Sequence, residues 1–419
     1  MLDKIHNKIK PKLQNNLKVV ENYFFMTALQ IINSAFGILI YPFLIRILGA
    51  SSYGVYVFAL SITSYFTSFI SFGFNMPASR EIVENKSNRL ANSKTLSSVL
   101  TAKLFLSAIS IIVFTILMIT IPIFRNNRLI FIICFTQILY EALLPVWYFQ
   151  GIQKMKVITY IQLAFKVLSL PFIFLLIKHP ADCYIYVIIM SLSLILGAIT
   201  TNIVIIYKYK TPIRLVSPSH LKKYFTDSLP FFWSNSTSTI KLESVTILIG
   251  SFMGMKEVAY YDLANKLIII PRMLTTNINA ALFPKIMENP NNQTIRKILK
   301  TETYLGLSVI ACIAAFGYWA VLLLGGKDMI QAYPLSIILS VTVLTWLLIG
   351  CYINFIFIPA NKYYLATKNQ IVAFCSFFIL ALPSAILWGS IYSIVIALSL
   401  SGLAEIIYCN FVTKKMNLL

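Results

Sequence analysis

The chain has 419 residues, of which 58% are hydrophobic and 12% charged, with a formal net charge of +21 and a mean hydropathy of +0.79. A water-soluble domain could not bury that much apolar surface, and apolar blocks of about 20 residues recur along the whole length, leaving no stretch long enough for a soluble catalytic domain. Loop topology and anionic lipid account for most of the positive charge, so no nucleic acid partner is implied, and no aromatic-basic RNA-binding pattern is present.

In chain order, residues 1–21 read as a basic, amphipathic segment lying on the cytoplasmic membrane surface. No apolar core with a small-residue cleavage site follows closely enough to make them a signal peptide. An N-terminal lobe over 22–207 is predicted to hold spans 22–45, 53–74, 97–122, 129–150, 157–177 and 184–207. A cytoplasmic loop, 208–228, separates it from a C-terminal lobe, 229–412, with spans 229–252, 258–284, 303–324, 329–358, 370–388 and 391–412; residues 413–419 form a cytoplasmic tail. The expected fold class is an all-α polytopic membrane protein of about 12 transmembrane helices in two six-helix lobes.

Orientation follows from the 35 basic residues: with the N-terminus in the cytoplasm, 24 lie on the cytoplasmic side, six on the other, and five within spans. By the positive-inside rule this asymmetry puts both termini in the cytoplasm. The six cysteines, Cys134, Cys183, Cys312, Cys351, Cys375 and Cys409, are scattered singly, and His6, His179 and His220 lie far apart, so neither a metal site nor any cofactor is implied.

The two halves echo each other weakly. Thr27, Gln30, Ser34 and Gly37 precede Ser234, Thr237, Lys241 and Ser244 by 207 positions each, as Pro77 precedes Pro284. At an offset of 205, Gly49, Tyr56 and Ala59 meet Gly254, Tyr261 and Ala264. At 100° per residue, Thr27, Gln30, Asn33, Ser34, Gly37 and Tyr41 share one face of the first span, and Ser234, Thr237, Ser238, Lys241 and Ser244 share one face of the seventh. Small and hydroxylated residues serve equally for helix packing or for lining a lumen.

Charge within the spans separates those readings, because an ionised group near mid-bilayer costs about 2.5–3.5 kcal/mol on insertion scales and persists mainly where it pairs or meets water. The cations are Lys103, Lys166, Lys241, Lys266 and Arg272, and the acids are Glu141, Glu243, Asp262 and Glu405. Lys103 is expected to snorkel toward the cytoplasm. Asp262 and Lys266, four apart, should pair on one helix face. Lys241, in mid-span on a polar face, is expected to be a lumen cation, joined by Arg46, Lys166, Lys266 and Arg272 in a site suited to a pyrophosphate. Gln30, Asn33, Ser34, Ser234, Thr237 and Ser238 would complete the polar lining, while Glu141, Glu243 and Asp262 are candidate ion-coupling acids. No P-loop or nucleophile motif is present, so neither ATP-driven nor hydrolytic chemistry is expected, and the chain reads as a non-enzyme.

The run Leu48-Gly49-Ala50-Ser51-Ser52-Tyr53-Gly54, followed by Tyr65, Phe72-Gly73-Phe74 and Ser79-Arg80-Glu81, resembles the opening of Wzx-type O-antigen and polysaccharide flippases of the multidrug/oligosaccharidyl-lipid/polysaccharide (MOP) exporter superfamily. Tyr261-Asp262-Leu263-Ala264-Asn265-Lys266-Leu267 and Phe283-Pro284 look like that family's eighth-span pattern. The resemblance implies a MATE-like, V-shaped pair of lobes in the bacterial inner membrane. They would carry undecaprenyl-pyrophosphate-linked oligosaccharide from the cytoplasmic to the periplasmic leaflet by alternating access. It also implies membrane lipids, a polysaccharide polymerase and a chain-length regulator as partners. The competing readings are a multidrug or toxin exporter of the same superfamily, in which acidic lumen residues should predominate, and a membrane enzyme such as a polymerase. The proposed periplasmic loops, about ten residues or shorter, argue against the enzyme.

Overall fold

The computed structural model describes residues 2–85, 88–214, 216–217, 221–288 and 291–419; side chains are described from Glu21 onward, except at Tyr23, 275–277, 280–281 and 284–285. The basic side chains of the N-terminal segment, His220, and the Pro284 of the second-half motif therefore lie outside what is described. Among the described residues the regular structure is entirely helical. The helices are α1 (Leu2–Ser71), α2 (Asn75–Glu84), α3 (Arg89–Thr120), α4 (Pro122–Asn126), α5 (Arg128–Phe135), α6 (Gln137–Leu143), α7 (Val146–Gly151) and α8 (Met155–Leu176). They continue with α9 (Cys183–Tyr207), α10 (Leu221–Phe252), α11 (Met255–Glu288), α12 (Asn292–Gly325), α13 (Ala332–Tyr352), α14 (Tyr363–Trp388) and α15 (Ile391–Lys415).

Helix covers each expected span, and the protein is a multi-pass, all-α membrane protein. Nine segments among the described residues are long and apolar enough to cross a bilayer. The first two spans are the arms of α1, joined at Gly49 in a conformation (φ 74°, ψ 164°) open essentially to glycine alone. The helices α10 and α11, which carry Lys241, Asp262, Lys266 and Arg272, are not among the nine. Large apolar side chains such as Ile112, Ile119, Ile379 and Leu387 are exposed on helix surfaces, as suits contact with lipid.

The chain forms two compact units, one of residues 1–39 and 63–236, the other of residues 40–62 and 237–419. In the first unit, Phe72-Gly73-Phe74 makes the corner between α1 and α2: Gly73 has φ +72°, and a Cβ there would stand 2.7 Å from Phe231 Cβ. Phe72 stacks on Phe232 at 4.4 Å, and Phe74 packs edge-on to Phe225. In the second unit the bend at Gly49 has its counterpart at Gly254 (φ +116°), between α10 and α11. The two bends pack closely, because a Cβ on Gly54 would fall 1.7 Å from the Met255 carbonyl oxygen and one on Gly250 would fall 2.3 Å from the Phe58 ring. The weak sequence echo at offset 205 is thus visible in the backbone. Tyr56 and Tyr261 are both buried, as are Ala59 and Ala264.

The fourth span is broken into α5, α6 and α7. Pro145 has no N–H to offer the Glu141 carbonyl four residues earlier, so that oxygen needs another donor. Lys103 Nζ of α3 supplies it at 3.0 Å, and Asn202 Nδ2 of α9 caps the Leu143 carbonyl at 2.6 Å. Both ends of the break are therefore satisfied by side chains of neighbouring helices.

Candidate functional site

A cavity of about 270 Å³ lies wholly within the second unit, walled by α10, α11, α13, α14 and α15. Thr237, Ser238 and Lys241 line it from α10, and Arg272 and Asn279 from α11. Thr342, Thr345 and Trp346 face it from α13, Asn369 and Gln370 from α14, and Glu405 from α15. It is also bordered by Asn354, in a π-helical turn (Ile353–Phe357) that continues α13. Such turns insert one residue into the helical ladder and recur at functional sites.

Lys241, expected from the sequence to be a lumen cation, lines the cavity and is paired there. Its Nζ donates to Glu405 Oε1 at 2.9 Å, with the two side chains only 13% and 12% exposed. The other carboxylate oxygen accepts from Asn369 Nδ2 at 3.0 Å, and Asn369 Oδ1 accepts from the Cys409 thiol at 3.4 Å. Ser238 donates to Gln370 Oε1 at 2.9 Å. Arg272 donates to Thr342 Oγ1 at 3.0 Å and stacks 4.8 Å from the Trp346 ring centroid, an arrangement that a planar guanidinium favours over an ammonium. Asn279 Nδ2 donates to the Leu347 carbonyl at 3.0 Å, where Gly350 leaves it room. The wall thus presents two cations, one carboxylate and a set of hydroxyl and amide groups, a composition suited to an anion with several oxygens.

The remaining expected site residues lie elsewhere. Lys266 pairs with Asp262, receives support from the Tyr53 hydroxyl at 3.1 Å, and sits over the rings of Tyr41 and Tyr53. Tyr53 in turn donates to Asp262 Oδ2 at 3.0 Å. Arg46 is exposed and donates to the Leu323 carbonyl at 3.1 Å. Neither Lys266 nor Arg46 lines the cavity. Glu243 is half-buried, within electrostatic range of Tyr261.

Lys166 belongs to the first unit, buried on α8, where it donates to Asn33 Oδ1 at 2.5 Å and lies 5.1 Å from the Phe36 centroid. Gln30 and Asn33 are exposed on α1, and Ser34 is half-buried there. Ser234 is exposed and stands apart from Thr237 and Ser238, which line the cavity. Lys103 does not snorkel: its side chain is 3% exposed and its Nζ lies 2.8 Å from Glu141 Oε1. The Pro145 break explains the difference, since the freed carbonyl and the nearby carboxylate together give a buried ammonium two acceptors.

One buried acid escaped the sequence reading. Glu302, on α12, is 2% exposed, and it falls one residue before the predicted start of the ninth span. The signal that could have found it is the helical pattern that extends back to Asn292, well before the apolar block begins.

Long helices, paired intramembrane charges and a polar cavity within one unit define a polytopic membrane protein. Residues 19–290 match the family model described as "Polysaccharide biosynthesis protein", and the chain belongs to this family. Two relatives carry the name "Putative O-antigen transporter". The one from Escherichia coli (strain K12) is 21% identical over 319 residues, which is 76% of each chain. The one from Shigella dysenteriae is 25% identical over 259 residues, covering 61% of this chain and 64% of that protein. Among solved structures, "Lipid II flippase MurJ, inward closed conformation" is similar with a TM-score of 0.66 at 14% identity, covering 94% of this chain and 87% of that one. An inward-facing multidrug resistance MATE family transporter of the MOP superfamily gives 0.65 at 14% identity, with 93% and 95% covered. The fold is therefore that shared with these two structures.

Proposed function

We propose that this chain is a flippase that moves undecaprenyl-pyrophosphate-linked oligosaccharide, an O-antigen-type repeat unit, from the cytoplasmic to the periplasmic leaflet of a bacterial inner membrane. Both termini lie in the cytoplasm, as the basic-residue asymmetry requires, and the repeated halves, 22–207 and 229–412, exchange access between the two sides. It acts as a carrier, not an enzyme. The observation that carries this reading is the second-unit cavity, where Lys241 and Arg272 converge with Thr237, Ser238 and Thr342. A pyrophosphate oxygen competes with Glu405 for the Lys241 ammonium, while the Arg272 fork offers paired N–H donors held flat by Trp346. Because Glu405 already neutralises Lys241, the empty carrier does not present two bare cations to a low-dielectric surround. The family membership and the names of the two relatives support the same reading, and polymerase and chain-length regulator are its expected partners.

The test is the leaflet distribution of the lipid-linked oligosaccharide in cells lacking the protein, with wild type, and with Lys241→Ala or Arg272→Ala at equal expression. Accumulation on the cytoplasmic face, relieved by wild type and not by either variant, supports the reading. Unchanged sidedness in every strain rejects it, and raised tolerance to cationic dyes in the same strains would point to drug export instead.

A further inference from the structure

Three acids within the spans share a pattern that Glu302 breaks. Glu141 is paired with Lys103, Asp262 with Lys266, and Glu405 with Lys241. Glu302 is more deeply buried than any of these, yet the Cys351 thiol is the one weak donor at its carboxylate, and among the described residues no lysine or arginine is ion-paired with it.

The groups facing it are few. From α13 the neighbouring side chain is the fully buried Cys351, a weak donor. Tyr352 and, from α15, Tyr408 and Cys409 belong to the apolar cluster around Cys351. On α12 itself, Arg296 and Lys300 line an open groove with Thr303 and Tyr352, not the buried face. From α11, Glu288 is exposed at the helix end, and the Lys285 side chain is outside the described residues. An ionised carboxylate in such a setting has no compensation for lost hydration, whereas the neutral acid does not need it.

Glu302 also stands against the helix that walls the cavity. Gly350, Ile353 and Asn354 line the cavity while Cys351, between them in sequence, meets Glu302. The π turn Ile353–Phe357 begins two residues after Cys351. A π turn and an α-helical turn differ by one residue of register, so a small change beside it is amplified into a rotation of the residues it carries.

We infer that Glu302 is a proton-binding site of the second unit, and that its charge state sets the register of the α13 π turn and so the placement of Asn354 in the cavity wall. The carboxylate takes a proton from a hydronium ion, so that a carboxyl O–H bond forms as a hydronium O–H bond breaks and a water molecule is left, and the neutral acid packs against Cys351. Loss of the proton leaves a charge that must draw in water or move α13. This holds whatever the cavity carries, since it concerns the protein alone.

The test uses the full chain purified in detergent. The carbonyl stretch of protonated carboxylic acids is followed by infrared spectroscopy during a pH titration, together with the part of the tryptophan emission that Trp346→Phe removes. The expected result is a protonated-acid band in the wild type at neutral pH, lost in Glu302→Gln, displaced in Glu302→Asp and retained in Glu405→Gln. The Trp346 emission should shift over the pH range in which the band disappears, and the shift should vanish in Glu302→Gln. Thermal melting checks that the isosteric variant is folded; should it not fold, the displaced band of Glu302→Asp decides. Absence of the band from wild type, its survival in Glu302→Gln, or an unmoved band in Glu302→Asp overturns the proton site. A Trp346 shift that persists in Glu302→Gln, or is absent from wild type, overturns the coupling to α13.

Discussion

The two units solve the problem of a buried lysine differently. In the second, Lys241 meets a carboxylate, and a third helix braces that carboxylate through Asn369. In the first, among the described residues, Lys166 meets the side-chain oxygen of Asn33 and the face of Phe36. A carboxylate partner neutralises charge and must itself be left with a partner when the lysine is taken, so the pair is stable when intact and fragile when halved. An amide partner leaves the charge in place and suffers little when the cation departs. The comparison teaches that a buried lysine's role depends on what is stranded by its removal.

Glu405→Ala should have the largest effect, because it leaves Lys241 in the cavity wall without its counterion. A loss of about 3 kcal/mol is expected from the behaviour of half-broken buried pairs, read as a lower midpoint of thermal unfolding in detergent. The paired change Lys241→Met with Glu405→Leu should recover most of it, and failure to recover would show that the pair holds more than charge. Next comes Lys103→Met, which strands both Glu141 and the carbonyl freed by Pro145. About 2 kcal/mol should be lost, and hydrogen exchange should rise first over residues 137–151. Exchange that rises evenly along the chain would argue against a role at the break. Swapping the charges, Lys241→Glu with Glu405→Lys, should keep stability within about 1 kcal/mol of wild type, since the ion pair survives, while leaflet transfer is reduced because the cation has moved to another helix. The smallest effect belongs to Lys166→Met, where removing a cation that has no acid partner among the described residues should change stability by less than about 1 kcal/mol in either direction. A loss as large as that of Glu405→Ala would show that Lys166 is tied into its unit as firmly as Lys241.

Much of this fold was legible because helix period and apolar block length are local properties of the chain. Helix appears where each block was expected, and the i, i+4 pair Asp262–Lys266 followed from spacing alone. What was not legible depends on partners distant in sequence. Lys241 and Glu405 are 164 residues apart, and nothing near Lys241 reveals the acid that answers it. Lys103 looked like a residue reaching for the membrane surface because its acceptor, the Glu141 carbonyl, is created by a proline 42 positions later. Glu302 was missed through a boundary error of one residue at a helix whose polar opening turns hide where burial begins. Arg46 and Lys266 were grouped with Lys241 by sign of charge, although the hydrogen bonds that hold them lead to other places.

The membership of residues 40–62 in the second unit has a consequence for how the protein is made. Tyr53 reaches Asp262 across a separation of 209 residues, so this early hairpin leaves the ribosome long before the helices it packs against. Contacts of such long range close slowly. The hairpin must wait in the membrane with Gly54 and Phe58 uncovered until α10 and α11 arrive. A polypeptide that starts at residue 221 would lack it altogether, so the second half of the gene does not by itself encode a complete folding unit.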